Sequence, residues 1–104
     1  MNMNEVTFQG VVDEKLRFAL KGDIDAGNAE SFYNGVCEEY DENPADLVFD
    51  CAELDFIDST TLGTFVKILK KAKTDGKKMT LVGLQPKVKK LFVICSLDTI
   101  MEIE

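Results

Sequence analysis

Lys15-Leu16-Arg17-Phe18-Ala19-Leu20-Lys21 alternates polar and apolar side chains, the period-2 signature of a half-buried strand. Val6-Thr7-Phe8 is a shorter strand candidate before it, and Asp13-Glu14 between the two suits a hairpin turn. Gly22 to Asn28 holds two glycines among short polar or small residues and reads as a loop. The period then changes. Ala29, Phe32, Tyr33, Val36, Cys37 and Tyr40 fall at i, i+3, i+4, i+7, i+8 and i+11, which predicts an amphipathic helix with Asn28 at its cap. Asn43-Pro44 breaks it. Asp46 to Cys51 contains the continuous apolar trio Leu47-Val48-Phe49, the mark of a central strand covered on both faces.

A second helical stripe follows in Leu62, Phe65, Val66, Leu69 and Ala72, and Asp75-Gly76 stops it. Met79-Thr80-Leu81-Val82 is a short buried strand. Pro86 opens a third helix, with Val88, Leu91, Phe92 and Cys95 as its apolar face. Thr99 to Ile103 is a last edge strand. The order β-β-α-β-α-β-α-β predicts one α/β domain over residues 1–104, with a mixed sheet, right-handed crossovers and three helices mainly on one face.

Composition narrows the function. The 104 residues suffice for a single modest core, and 45% apolar with 30% charged residues is ordinary for a soluble globular chain. No apolar run approaches the roughly 18–20 residues needed to span a bilayer. The amino-terminal residues form neither a basic nor an apolar signal region. Cys37, Cys51 and Cys95 are far apart, without histidine or a C-x-x-C pair, which argues against zinc and for buried or half-buried free thiols in a reducing compartment. No cofactor or metal is expected, and the cytoplasm is the expected location.

The net charge of −7 argues against nucleic-acid binding. It is unevenly spread. Residues 1–58 hold three bases and fifteen acids, −12, whereas residues 59–104 hold nine lysines and four acids, +5. That asymmetry fits either two faces for different partners or helices with solvated lysine faces.

The candidate chemistry sits in Asp58-Ser59-Thr60-Thr61, where a strand ends and a helix begins. Three hydroxyl residues in a row suit a first helical turn better than a helix interior. Ser59 has two compatible readings. Serine is a common N-cap, and Asp58-Ser59 before an apolar stripe satisfies that rule. The carboxyl edge of a sheet is also where ligands gather, and free first-turn amides favour an anion there, so Ser59 is also a candidate phosphate acceptor. Asp58, with Asp23 or Asp25 from the preceding loop, would deepen the negative charge. Catalysis lacks parts: a serine nucleophile needs a base, the chain has no histidine, and neither G-x-S-x-G nor a Gly-Lys-Ser/Thr phosphate loop occurs. No enzyme is expected.

These residues carry a resemblance. Leu20-Lys21-Gly22-Asp23-Ile24-Asp25-Ala26, Leu47-Val48-Phe49-Asp50, Phe56-Ile57-Asp58-Ser59-Thr60-Thr61-Leu62-Gly63 and the run from Lys78 to Phe92 resemble, in that order, the STAS-domain proteins and specifically bacterial anti-sigma-factor antagonists. The match spans nearly the whole chain. It implies a binding protein that, unphosphorylated, captures an anti-sigma factor serine kinase and so releases sigma factor. It also implies phosphorylation of Ser59, with Asp58, Asp25, Thr60 and Thr61 beside the phosphosite, and a PP2C-type phosphatase that reverses it. Asp23, Leu62 and Gly63 are the expected partner contacts, Gly63 allowing close approach of a partner or the sheet. Neither nucleic acid nor membrane insertion is implied.

Thr61 stands where the family usually has glycine, and a branched side chain there is expected to crowd a kinase's approach to Ser59. Thr61 and the lysine-rich second half keep open a constitutive STAS interaction module, as a signalling scaffold or a cytosolic subunit of an ABC-type lipid transporter. A small-ligand sensor is the third reading.

Overall fold

The computed structural model describes residues 4–104. Strand β1 (Val6–Val12) and strand β2 (Lys15–Ile24) form an antiparallel hairpin. Its two-residue turn puts Asp13 and Glu14 at φ 54° and 65°, the left-handed pair that matches the twist of the flanking strands. Helix α1 (Ala29–Glu42), strand β3 (Asp46–Ile57), helix α2 (Ser59–Thr74), strand β4 (Met79–Val82), helix α3 (Pro86–Ile94) and strand β5 (Glu102–Ile103) follow, with a 3-10 turn at Leu97–Thr99 before the last strand. The predicted order of elements holds.

Two boundaries differ in a way that matters for the site. β2 runs on to Ile24 through Gly22, whose φ of 68° lets the strand bend, so the loop expected from Gly22 begins only after Ile24. β3 continues to Ile57, twelve residues in all, and its register against β2 shifts at Ala19/Lys21 and again at Gly22/Asp23. These irregularities broke the alternation that pattern reading relies on. The last strand is shorter than expected, because Thr99 belongs to the 3-10 turn.

The sheet order is β1-β2-β3-β4-β5, with β1 antiparallel and the other pairs parallel. Each right-handed crossover steps the same way across the sheet, so all three helices fall on one face. A chain of phenylalanines shows the common core. Phe18 and Phe49 stack at 5.4 Å on the sheet, Phe32 of α1 meets Phe49 at 5.9 Å, and Phe65 of α2 meets Phe49 at 5.8 Å and Phe92 of α3 at 5.4 Å.

Among the described residues no helix covers the other face of the sheet. This corrects the expectation for Leu47-Val48-Phe49: Leu47 and Phe49 are buried, but Val48 between them is only half-buried. A continuous apolar trio does not by itself require two covers. In register, Arg17, Val48, Thr80 and Glu102 make a single row across β2, β3, β4 and β5 on this bare side.

Cys37 is half-buried, Cys51 buried and Cys95 exposed, all three as free thiols. Exposure of Cys95 corrects its place on α3's apolar face. The helix ends at Ile94, and Cys95 is its carboxyl cap, one residue past the turn that Val88 and Phe92 bury. Two of the four lysines of α2 are not simply solvated. Lys67 Nζ lies 4.2 Å from the ring centre of Tyr33, and Lys71 Nζ is 3.0 Å from Asp41 Oδ1, so both reach across to α1.

Candidate functional site

Three connections meet at the carboxyl edge of the parallel strands: β2 to α1, β3 to α2, and β4 to α3. Asp58 joins the first two. Its backbone is still extended, at φ −115° and ψ −176°, and its carbonyl accepts the first helical bond from Leu62 N at 3.1 Å. Its Oδ1 accepts from Thr61 N at 2.9 Å, and its Oδ2 accepts from Ala26 N at 2.9 Å. One carboxylate therefore caps α2 and holds the β2–α1 loop against it. Those amide donors, Thr61 first and then Ala26, keep the Asp58 carboxyl below its ordinary range against a smaller opposing cost of desolvation.

Because Asp58 is the cap, Ser59 is not. Ser59 is the first residue of α2, exposed, and its side chain enters no hydrogen bond among the described residues. Thr60 is exposed beside it. The amides of these first two helical residues have no intrahelical carbonyl to bond, as at any helix start. The structure thus separates two roles that the sequence merged. The aspartate closes the helix end, and the serine hydroxyl is left free.

Thr61 is turned inward. The residue has 0% exposure, and its Oγ1 lies 2.6 Å from the Ile24 carbonyl and 3.0 Å from Asp58 Oδ1. The crowding expected from a branched side chain at this position does not arise, because the branch points into the protein. It ties the first turn of α2 to the last residue of β2, a bond that glycine cannot make.

The β2–α1 loop is built around Asp25 and Asn28. Asp25 Oδ1 accepts from Gly27 N at 2.9 Å, and its carbonyl accepts from Ala29 N at 2.8 Å. Asn28 occupies the cap position of α1 without bonding the helix amides, a correction to its expected role. Its Oδ1 accepts from Asp25 N at 2.8 Å and its Nδ2 donates to the Asp23 carbonyl at 3.0 Å, so the side chain closes the loop instead. Asp25 and Asp58 are brought to one edge, each carboxylate serving different amides.

Asp23 is exposed on the bare side of β2, in register with Phe56. Gly63 is exposed, and a Cβ built there meets nothing within 4 Å, so its small size serves no approach to the sheet. Leu62 is 9% exposed and sits in the core cluster, which leaves little of it for a partner.

Two residues at this edge were missed by sequence reasoning. Phe56 is 50% exposed, next to the buried Ile57. Asp55 beside Phe56 is the sequence signal of an outward-facing stretch. Gln85, at the cap of α3, donates from Nε2 to Asp55 Oδ1 at 3.0 Å and brings the β4–α3 connection to the same edge. Among the described residues no group of three His, Cys, Asp or Glu side chains is placed to hold a metal ion. Among the same described residues no helix is long and apolar enough to cross a membrane.

The fold is shared with solved structures. A Thermotoga maritima protein, TM1081, described as an anti-sigma factor antagonist, superposes with a TM-score of 0.88 at 25% identity, over 96% of this chain and 86% of that one. The unphosphorylated anti-sigma factor antagonist SpoIIAA gives a TM-score of 0.83 at 18% identity, over 95% and 87%. The phosphorylated form of the Bacillus cell fate determinant SpoIIAA gives 0.75 at 17%, over 95% and 90%. A family model describes the same extent of sequence, matching residues 4–104, and by that match the chain belongs to the STAS domain family.

Proposed function

We propose that this chain is a phosphorylation-switched anti-sigma factor antagonist, a binding protein that captures an anti-sigma factor serine kinase while Ser59 is unmodified. One observation carries the reading. Ser59 is exposed at the first position of α2 while Asp58 does the capping, so a phosphate can be added without removing a structural bond. Such a group brings roughly −1.5 to −2 charges beside the free amides of the first turn. Asp23, Asp25 and Asp58 then lie at an edge whose negative potential has risen. A partner docked there through acidic groups or through a closely packed surface is repelled. A PP2C-type phosphatase resets the switch.

The solved neighbours support this reading at the level of the fold. SpoIIAA matches in both its unphosphorylated and its phosphorylated form, at TM-scores of 0.83 and 0.75, so that protein carries phosphate on this architecture. Of the features that kept a constitutive module open, Thr61 faces inward, and two of the nine lysines in the second half, Lys67 and Lys71, engage α1. The cytoplasm is the compartment in which such a partner is met.

The test is phosphorylation in vitro by a serine kinase of the anti-sigma type from the same genome. Mass spectrometry should place phosphate on Ser59, and the phosphorylated protein should release the kinase. Phosphate found elsewhere, with none on Ser59, overturns the proposal.

A further inference from the structure

Four of the five strands run parallel, and every helix lies on one side of them. Parallel sheets are almost always covered on both faces. The bare face here has an ordered chemistry. Its first row is Arg17, Val48, Thr80 and Glu102, and its second is Ala19, Asp50 and Val82, with Glu104 beyond Glu102 on β5's side. Between them is a shallow depression of about 250 Å³. Lys15 and Arg17 stand on its β2 side, with Asp13 near the hairpin turn, and Glu102 and Glu104 on its β5 side. Val48 and Val82 lie between, both half-buried. Arg17 is held over the sheet by Asp50 Oδ2 at 3.3 Å and Gln9 Oε1 at 3.0 Å.

We infer that a second copy of this chain covers the bare face, in a two-fold dimer whose axis runs parallel to the strands between β3 and β4. That operation reverses the row, so Arg17 faces the second copy's Glu102, Val48 faces its Thr80, and Glu102 faces its Arg17. The basic side meets the acidic side twice, as a closed isologous contact requires. A two-fold axis across the strands sets the basic sides against each other and is disfavoured. The centre is mixed, Val48 meeting Thr80 and Val82 meeting Asp50, whose carboxylate Arg17 of its own copy already pairs.

The size is modest. The axis overlaps β2 to β5 only, and β4 is four residues long and β5 two, so four strands at ~4.8 Å spacing over ~13 Å give roughly 250 Å² per copy, well below the ~800 Å² of a standard interface. The dimer is therefore weak and concentration-dependent. With the axis along the strands, both Ser59 edges point the same way, and the pair presents two sites to a bivalent partner. The inference does not depend on phosphorylation of Ser59, and its test does not involve the kinase.

Sedimentation equilibrium of the full chain, from about 10 µM to about 1 mM and in low and high salt, reads the association. The wild type should dimerise, more tightly in low salt. Arg17→Glu and Glu102→Arg should each weaken the dimer about tenfold or more. The two changes in one chain should restore it, because the swapped row is again self-complementary. Glu102→Arg leaves the Arg17–Asp50 pair intact, so a folding defect in Arg17→Glu does not decide the result. A wild type that stays monomeric over this range, or a dimer indifferent to Glu102→Arg, overturns the inference.

Discussion

Thr61 Oγ1 lies 2.6 Å from the carbonyl oxygen of Ile24, a bond between the first turn of α2 and the final residue of β2. It locks α2 to a strand residue thirty-seven positions earlier in the chain. The residue that stands in place of the family's usual glycine is therefore a structural tie. Thr61→Val keeps the shape and leaves the Ile24 carbonyl without this donor, at a cost of about 1–3 kcal/mol. Urea denaturation should show a lowered midpoint with an unchanged slope. Thr61→Gly should destabilise at least as much, yet leave the rate of Ser59 phosphorylation per folded molecule within about twofold, since the side chain does not stand in the kinase's way. A large gain in rate for the glycine variant would show that it does.

Asp58 gives this edge a defined acid sensitivity. Its folded-state pKa is lowered by the Thr61 and Ala26 amides, so its stabilisation is complete above the ordinary carboxylate pKa of ~3.9 and is lost as pH falls through the lower folded value. Asp58→Asn retains at most one of the two acceptors. It should unfold at lower urea concentration at pH 7, and the gap to wild type should narrow as pH falls below the ordinary carboxylate range. A gap that persists at low pH would mean the charge is not what matters.

Ser59 should be replaceable at little structural cost. As an exposed first-turn residue without side-chain bonds, it should tolerate Ser59→Ala and Ser59→Asp within about 0.5–1 kcal/mol, the aspartate gaining slightly from the helix dipole. Circular dichroism and thermal melts check this. Kinase binding should separate the variants, with Ser59→Ala close to wild type and Ser59→Asp about tenfold weaker or worse. Equal binding would remove the switch.

Phe56 is an exposed aromatic at the same edge, 50% accessible and three residues before Ser59. Aromatic side chains are frequent anchors of interfaces, where truncation costs about 1–2 kcal/mol or more. Phe56→Ala should leave the melting temperature nearly unchanged and weaken kinase binding at least fivefold by calorimetry. Unchanged binding would place the interface elsewhere.

Much of this protein was legible in its residues. The two helical stripes from Ala29 and Leu62, the alternation from Lys15 to Lys21, and the stops at Asn43-Pro44 and Asp75-Gly76 are local signals, set by side-chain period and backbone preference among neighbours. They were enough for the order of elements and for locating Asp58-Ser59-Thr60-Thr61 at a strand-to-helix junction. The exposure of Ser59, the inward turn of Thr61 and the use of Asn28 to close a loop were decided by tertiary structure. Each rests on a partner far along the chain, such as Ala26 for Asp58 or Ile24 for Thr61, and one-dimensional spacing holds no record of which distant amide or carbonyl will stand within bonding distance. The bare sheet face belongs to the same class. Val48 reads like its buried neighbours until the direction of every crossover is known, and only then does one side of the strand lose its cover.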